Sequence, residues 1–80
     1  MPEQPEASAE EFIDAFAAEI GTDPPDRVRF GAILKLAATA AHASERTAAP
    51  VACYLAGLTG RPLDELDEIA QRIAGDEPRR

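Results

Sequence analysis

Four short segments in which apolar residues recur at every third or fourth position constrain this chain more than any other feature. That spacing places the apolar side chains on one face of an α-helix. Glycines and prolines separate the segments, at Gly21, Pro24–Pro25, Pro50 and Gly60, and no stretch shows the alternation typical of a β-strand. A chain of 80 residues forms one domain with a small core. We therefore predict an all-α fold, a compact bundle of four short helices.

Local capping signals predict where the first two helices begin and end. Ser8 and Glu11 match the capping box that starts a helix, and Gly21 is suited to end it in a left-handed conformation. Asp23 or Asp26 is placed to cap a second helix from about residue 27 to 43. The second helix is apolar over much of its circumference, so we expect it to be the central one. The apolar stripe of the first helix consists of Phe12, Ile13, Phe16, Ala17 and Ile20.

The third helix is expected to open near Ala49, with Pro50 in its first turn, where a missing N–H costs nothing. The fourth is expected to begin around Pro62 and to stop at Gly75. We predict residues 1–7 as a disordered lead-in, 8–75 as a single helical domain and 76–80 as a charged tail. The large apolar residues of the third helix are predicted to point inward: Val51, Tyr54, Leu55 and Leu58.

The charge balance indicates which classes of partner the chain can bind, and the single cysteine indicates the cellular compartment. Fifteen acidic residues stand against eight basic ones, and residues 1–26 contain eight acidic residues and no basic one. This acidic balance argues against binding to nucleic acid, and no apolar run is long enough to cross a bilayer. One cysteine forms no internal disulfide, and no segment resembles a secretion signal. We expect a cytoplasmic protein that binds neither nucleic acid nor membrane.

The residues that carry chemistry form no recognisable catalytic or metal-binding motif. One His and one Cys fall short of a zinc site, and Cys53, between Ala52 and Tyr54, has the context of a small core residue. We therefore predict no enzyme activity, no metal site and no cofactor. His42 and Arg46 lie four residues apart at the end of the second helix, where positive groups complement exposed carbonyls. A helix-end role is the favoured interpretation; the alternative is a small-anion or nucleotide site formed by His42, Arg46 and Arg61.

Three segments resemble a family of small all-helical actinobacterial domains of unknown function. They are Phe12–Gly21 (FIDAFAAEIG), Ile33–Pro50, which ends in Ala-His-x-x-x-Arg-x-Ala-Ala-Pro, and Tyr54-Leu55-x-Gly57. Members of that family occur alone, or fused to or encoded beside molybdenum cofactor guanylyltransferases. The resemblance implies an accessory or docking role near molybdopterin cofactor maturation, with His42, Arg46 and Pro50 as matching positions.

Small size, alanine-rich helix faces and the lack of catalytic groups indicate a non-catalytic helical interaction module. We expect it to bind a protein partner or to form a homodimer, in an accessory role linked to molybdopterin cofactor maturation. The alternative function is the anion-binding or nucleotide-binding domain that uses the His42/Arg46 corner.

Overall fold

The computed structural model describes residues 8–76, so the lead-in predicted for residues 1–7 and most of the predicted tail lie outside the described residues. Within this range the chain forms α1 (Ala9–Ile20), α2 (Arg27–Ala43), α3 (Ala48–Thr59) and α4 (Leu63–Asp76), and no strand. The prediction of an all-α bundle of four short helices is confirmed. None of these four helices has the length and hydropathy needed to span a membrane.

The helix ends follow the local signals in the sequence. At the start of α1 the Glu11 backbone N–H donates to Ser8 Oγ, and the Ser8 backbone N–H donates to Glu11 Oε1, both at 3.1 Å. Both halves of the predicted capping box are therefore present. Gly21 ends α1 with φ +83°, a conformation that glycine adopts without steric cost.

Asp26, rather than Asp23, caps α2, because its Oδ1 accepts the Arg29 backbone N–H at 2.7 Å. Gly60 ends α3 with φ +70°. Gly57 lies inside this helix. The short connection after Gly60 turns the chain directly into α4.

Helix α2 is the central element of the bundle, as predicted. It packs against both α3 and α4, and these are the two substantial helix–helix interfaces among residues 8–76. Leu36 is buried at its centre, whereas Leu34 lies exposed. Ala56 of α3 is the buried residue on the facing helix.

Helix α1 takes little part in this packing, because neither of the two substantial interfaces includes it. Ala17 is its one buried residue among the described ones. The larger apolar residues of its predicted stripe, Phe12, Phe16 and Ile20, are more than half exposed.

Candidate functional site

A groove of about 750 Å³ lies between α2 and α3 and extends to the turn that leads into α4. Leu36 and Ala56, both buried, line its inner part. The remaining apolar lining comes from all three helices and includes Ile33, Tyr54 and Leu63. The groove has the size and apolar character of a site that receives side chains of another molecule.

Two arginines lie at this groove, and their pairing differs. The Arg61 guanidinium forms an ion pair with Glu65, one turn along the chain, with Nε 3.2 Å from Glu65 Oε2. The Arg29 backbone N–H is used by the Asp26 cap, but the Arg29 guanidinium pairs with no carboxylate of residues 8–76. The groove therefore presents an apolar surface with an unneutralised positive charge at Arg29.

Cys53 also lines the groove, on the side of α3 that faces α2. Its Sγ lies 3.8 Å from the Ile33 carbonyl oxygen, to which the thiol donates a weak hydrogen bond. Burial raises the pKa of the Cys53 thiol above its ordinary value of 9.0. A thiol with a raised pKa is a poor nucleophile at neutral pH, so this half-buried side chain acts as a packing residue, as its sequence context predicted.

The large apolar residues of α3 lie on the side opposite Cys53 and Ala56. Each of them is more than half exposed, which overturns the prediction that they point inward. The small residues Ala52, Cys53 and Ala56 occupy the inward side and let α3 approach α2 closely. We call the exposed set the α3 outer face; it consists of Val51, Tyr54, Leu55 and Leu58.

A second exposed apolar surface lies on α1. Phe12, Phe16 and Ile20 are spaced four residues apart and so share one side of the helix; we call them the α1 stripe. The two phenylalanine rings stack on each other, with centroids 6.1 Å apart and planes 7° from parallel. All four charged residues of α1 are acidic: Glu10, Glu11, Asp14 and Glu19.

The three residues predicted for an anion site lie in different surroundings. His42, in the last turn of α2, lines a small hollow of about 260 Å³ together with Thr39 and Gln71. Arg46 is exposed in the turn before α3. Arg61 lines the larger groove beside Tyr54. The fold therefore does not bring Arg61 to the hollow that contains His42.

Asp67 is a buried polar residue that the sequence pattern did not single out. The residue is 3% exposed, and its carboxylate accepts hydrogen bonds from Thr39 Oγ1 and Gln71 Nε2, each at 2.6 Å. Lys35 Nζ approaches Asp67 Oδ2 at 3.8 Å. One feature of the sequence could have predicted that Asp67 is buried. Asp67 lies one turn after Leu63, between Leu66 and Ala70 on the inward side of α4.

Among residues 8–76, no group of three or more His, Cys, Asp or Glu side chains is arranged to hold a metal ion. The acidic side chains at the start of α4 point in different directions. Asp67 faces α2, Glu65 pairs with Arg61, and Asp64 Oδ1 accepts the Glu65 backbone N–H at 3.0 Å.

The fold and these surfaces define a small all-α domain that displays apolar helix faces beside a groove with a positive rim. The chain belongs to the family described as Domain of unknown function (DUF6457), whose model matches residues 4–77. Neither the curated proteins nor the solved structures contain a match to the chain.

Proposed function

We propose that this domain is a non-catalytic helical interaction module. One observation carries the proposal: seven large apolar side chains on α1 and α3 are each more than half exposed. They belong to two continuous surfaces, the α1 stripe and the α3 outer face. Contiguous apolar patches of this kind mark sites where another protein binds.

The composition of the two surfaces supports this proposal. Aromatic side chains are enriched at the centres of protein interfaces because they bury a large area at small entropic cost, and Phe12, Phe16 and Tyr54 are all accessible. Helix α3 carries no charged residue over its twelve positions, so a partner covering it leaves no α3 charge unpaired.

The narrower form of the proposal names the partner. The resemblance of residues 12–57 to domains fused to or encoded beside molybdenum cofactor guanylyltransferases supports an accessory role in molybdopterin cofactor maturation. In that role the α3 outer face binds a guanylyltransferase, and the domain holds no cofactor of its own.

Titration calorimetry of the domain against a purified molybdenum cofactor guanylyltransferase tests this assignment. We expect binding that is weakened at least about tenfold by Leu58→Asp, which places a charge in the α3 outer face. Val28→Asp is the matched control, because Val28 is 83% exposed and belongs to neither apolar surface. Absence of binding would exclude the guanylyltransferase as the partner. Equal effects of the two variants on the affinity would exclude the α3 outer face as the binding surface.

A second candidate function is anion or nucleotide binding at the His42/Arg46 corner. The observation that favours it is the lack of an acidic partner, within residues 8–76, for either of these side chains, both of which are exposed. Amide NMR titration with a guanine nucleotide distinguishes it from the first. Shifts that cluster at residues 42–46 and disappear in Arg46→Ala would support the anion site, whereas an unchanged spectrum would reject it.

A further inference from the structure

We infer that the groove between α2 and α3 receives helix α1 of a second copy of this chain, so that two copies exchange their first helices and form a symmetric dimer. The inference rests on the proposed function, since it assigns one of the two exposed apolar surfaces to self-association. The α3 outer face, apart from Tyr54 at the groove edge, stays available to a different partner.

The charges of the two surfaces are complementary. Helix α1 carries four acidic residues and no basic one, and Glu19 lies one turn from Phe16, at the edge of the α1 stripe. The groove offers the guanidinium of Arg29, which no carboxylate of residues 8–76 neutralises, whereas Arg61 already pairs with Glu65. An acidic amphipathic helix laid into the groove would bring a carboxylate to Arg29 while its apolar side meets the apolar lining.

The dimensions of the helix also fit. The α3 residues that line the groove run from Pro50 to Gly57, about 11 Å of helix, and the α1 stripe from Phe12 to Ile20 covers about 12 Å. The groove volume of about 750 Å³ lies within the range of sites that enclose several side chains. Phe12, Phe16 and Ile20 are the side chains that would enter it.

The exposed aromatic area of α1 favours a reciprocal contact. Because an aromatic side chain has about 200 Å² to bury, Phe12 at 61% exposure and Phe16 at 52% still offer roughly 220 Å² together. Two copies that exchange their first helices bury this area twice, whereas a single docked helix buries it once.

The chain's own α1 does not occupy the groove, because no residue of α1 contributes to its lining. The connection from α1 to α2 contains Pro24 and Pro25, whose rings restrict φ and favour an extended path. The α1 stripe therefore stays available to a neighbour.

Sedimentation velocity from low micromolar to near-millimolar concentration tests the inference with two variants of the full chain. Phe16→Asp disables the α1 stripe, and Tyr54→Asp disables the groove; both sites are exposed, so circular dichroism should show unchanged helix content. We expect the wild type and the Val28→Asp control to dimerise. Each disabled variant should dimerise at least about tenfold more weakly.

Mixing the two disabled variants gives the decisive measurement. In the exchanged dimer, the intact α1 of Tyr54→Asp still fits the intact groove of Phe16→Asp, so the mixture should dimerise more strongly than either variant alone. A wild type that stays monomeric, variants that dimerise normally, or a mixture without recovery would each overturn the inference. These outcomes are independent of the titration with the guanylyltransferase, because that titration tests Leu58, which lies outside the groove.

Discussion

Asp67 connects helices α2 and α4 through a single buried carboxylate. Thr39 and Gln71 each donate a hydrogen bond to it, and Thr39 Oγ1 also lies 3.1 Å from the Lys35 carbonyl oxygen. The Lys35 ammonium is 70% exposed, so its attraction to Asp67 across 3.8 Å is weakened by solvent. The hydrogen bonds, rather than the ion pair, therefore account for the stabilisation at this position.

Removing the Asp67 carboxylate should destabilise the domain. We expect Asp67→Ala to lower the free energy of unfolding by about 1–2 kcal/mol, because the hydrogen bonds from Thr39 and Gln71 to the carboxylate are lost. Glu68→Ala, one residue along on the exposed side of α4, should change it by less than about 0.5 kcal/mol. Urea unfolding at low protein concentration measures both, and equal losses of stability would contradict this role for Asp67.

Arg29 is expected to influence association rather than folding. Arg29→Glu places a negative charge where we propose that the acidic α1 of a second copy docks, so the dimer should weaken at least about tenfold. Arg27→Glu makes the same charge change two residues earlier, at a position that does not line the groove. Sedimentation equilibrium should show weakened association for Arg29→Glu alone; a similar effect of both variants would indicate a response to net charge.

Helix α3 shows what periodicity alone leaves open about an element. Its twelve residues contain no charge, so apolar side chains lie all around it and the pattern does not identify the inward side. Packing against α2 selects the side with Ala52, Cys53 and Ala56, because small residues let two helix backbones approach closely. The larger residues then remain outside. The position and length of α3 could be predicted from its sequence, but the direction in which it packs could not.

The helix ends depend on backbone conformation. Two glycine substitutions test this dependence, because one should lower the free energy of unfolding and the other should raise it. Gly60→Ala should lower the free energy of unfolding by about 1–2 kcal/mol, since φ at +70° strains an L-residue. Gly31→Ala, inside α2 with no atom within 4 Å of the added Cβ, should raise it by about 0.5–1 kcal/mol. Thermal unfolding followed by circular dichroism compares the two, and a stabilising Gly60→Ala would refute the capping role.

At the scale of the whole molecule, the helices do not contribute equally to one core. Helix α2 holds α3 and α4, while α1 leaves its aromatic residues exposed. With Ala17, Leu36 and Ala56 as the buried apolar residues of the described range, the isolated chain buries little hydrophobic area. Association of two chains would bury the aromatic side chains that a single chain leaves exposed.

The reactivity of Cys53 reports whether the groove is covered. Burial raises the pKa of Cys53, so the thiolate fraction is small at neutral pH and alkylation is followed at alkaline pH. In the exchanged dimer, α1 of the neighbour lies over this groove, so the alkylation rate should fall as protein concentration rises. In Phe16→Asp the rate should not depend on concentration. Mass spectrometry follows both, and a wild-type rate independent of concentration would argue against a covered groove.

The sequence by itself determined the number of helices, their approximate bounds and their caps, because these depend on residues within a few positions of one another. Ser8 with Glu11, Asp26 and Gly60 set helix ends through local hydrogen bonds and backbone conformation. Only the tertiary structure decided that Leu36 and Asp67 lie inside while Tyr54 and Phe16 lie outside. These positions depend on which helices meet, and in a chain with several apolar helix faces and a small core, periodicity is compatible with more than one pairing of those faces.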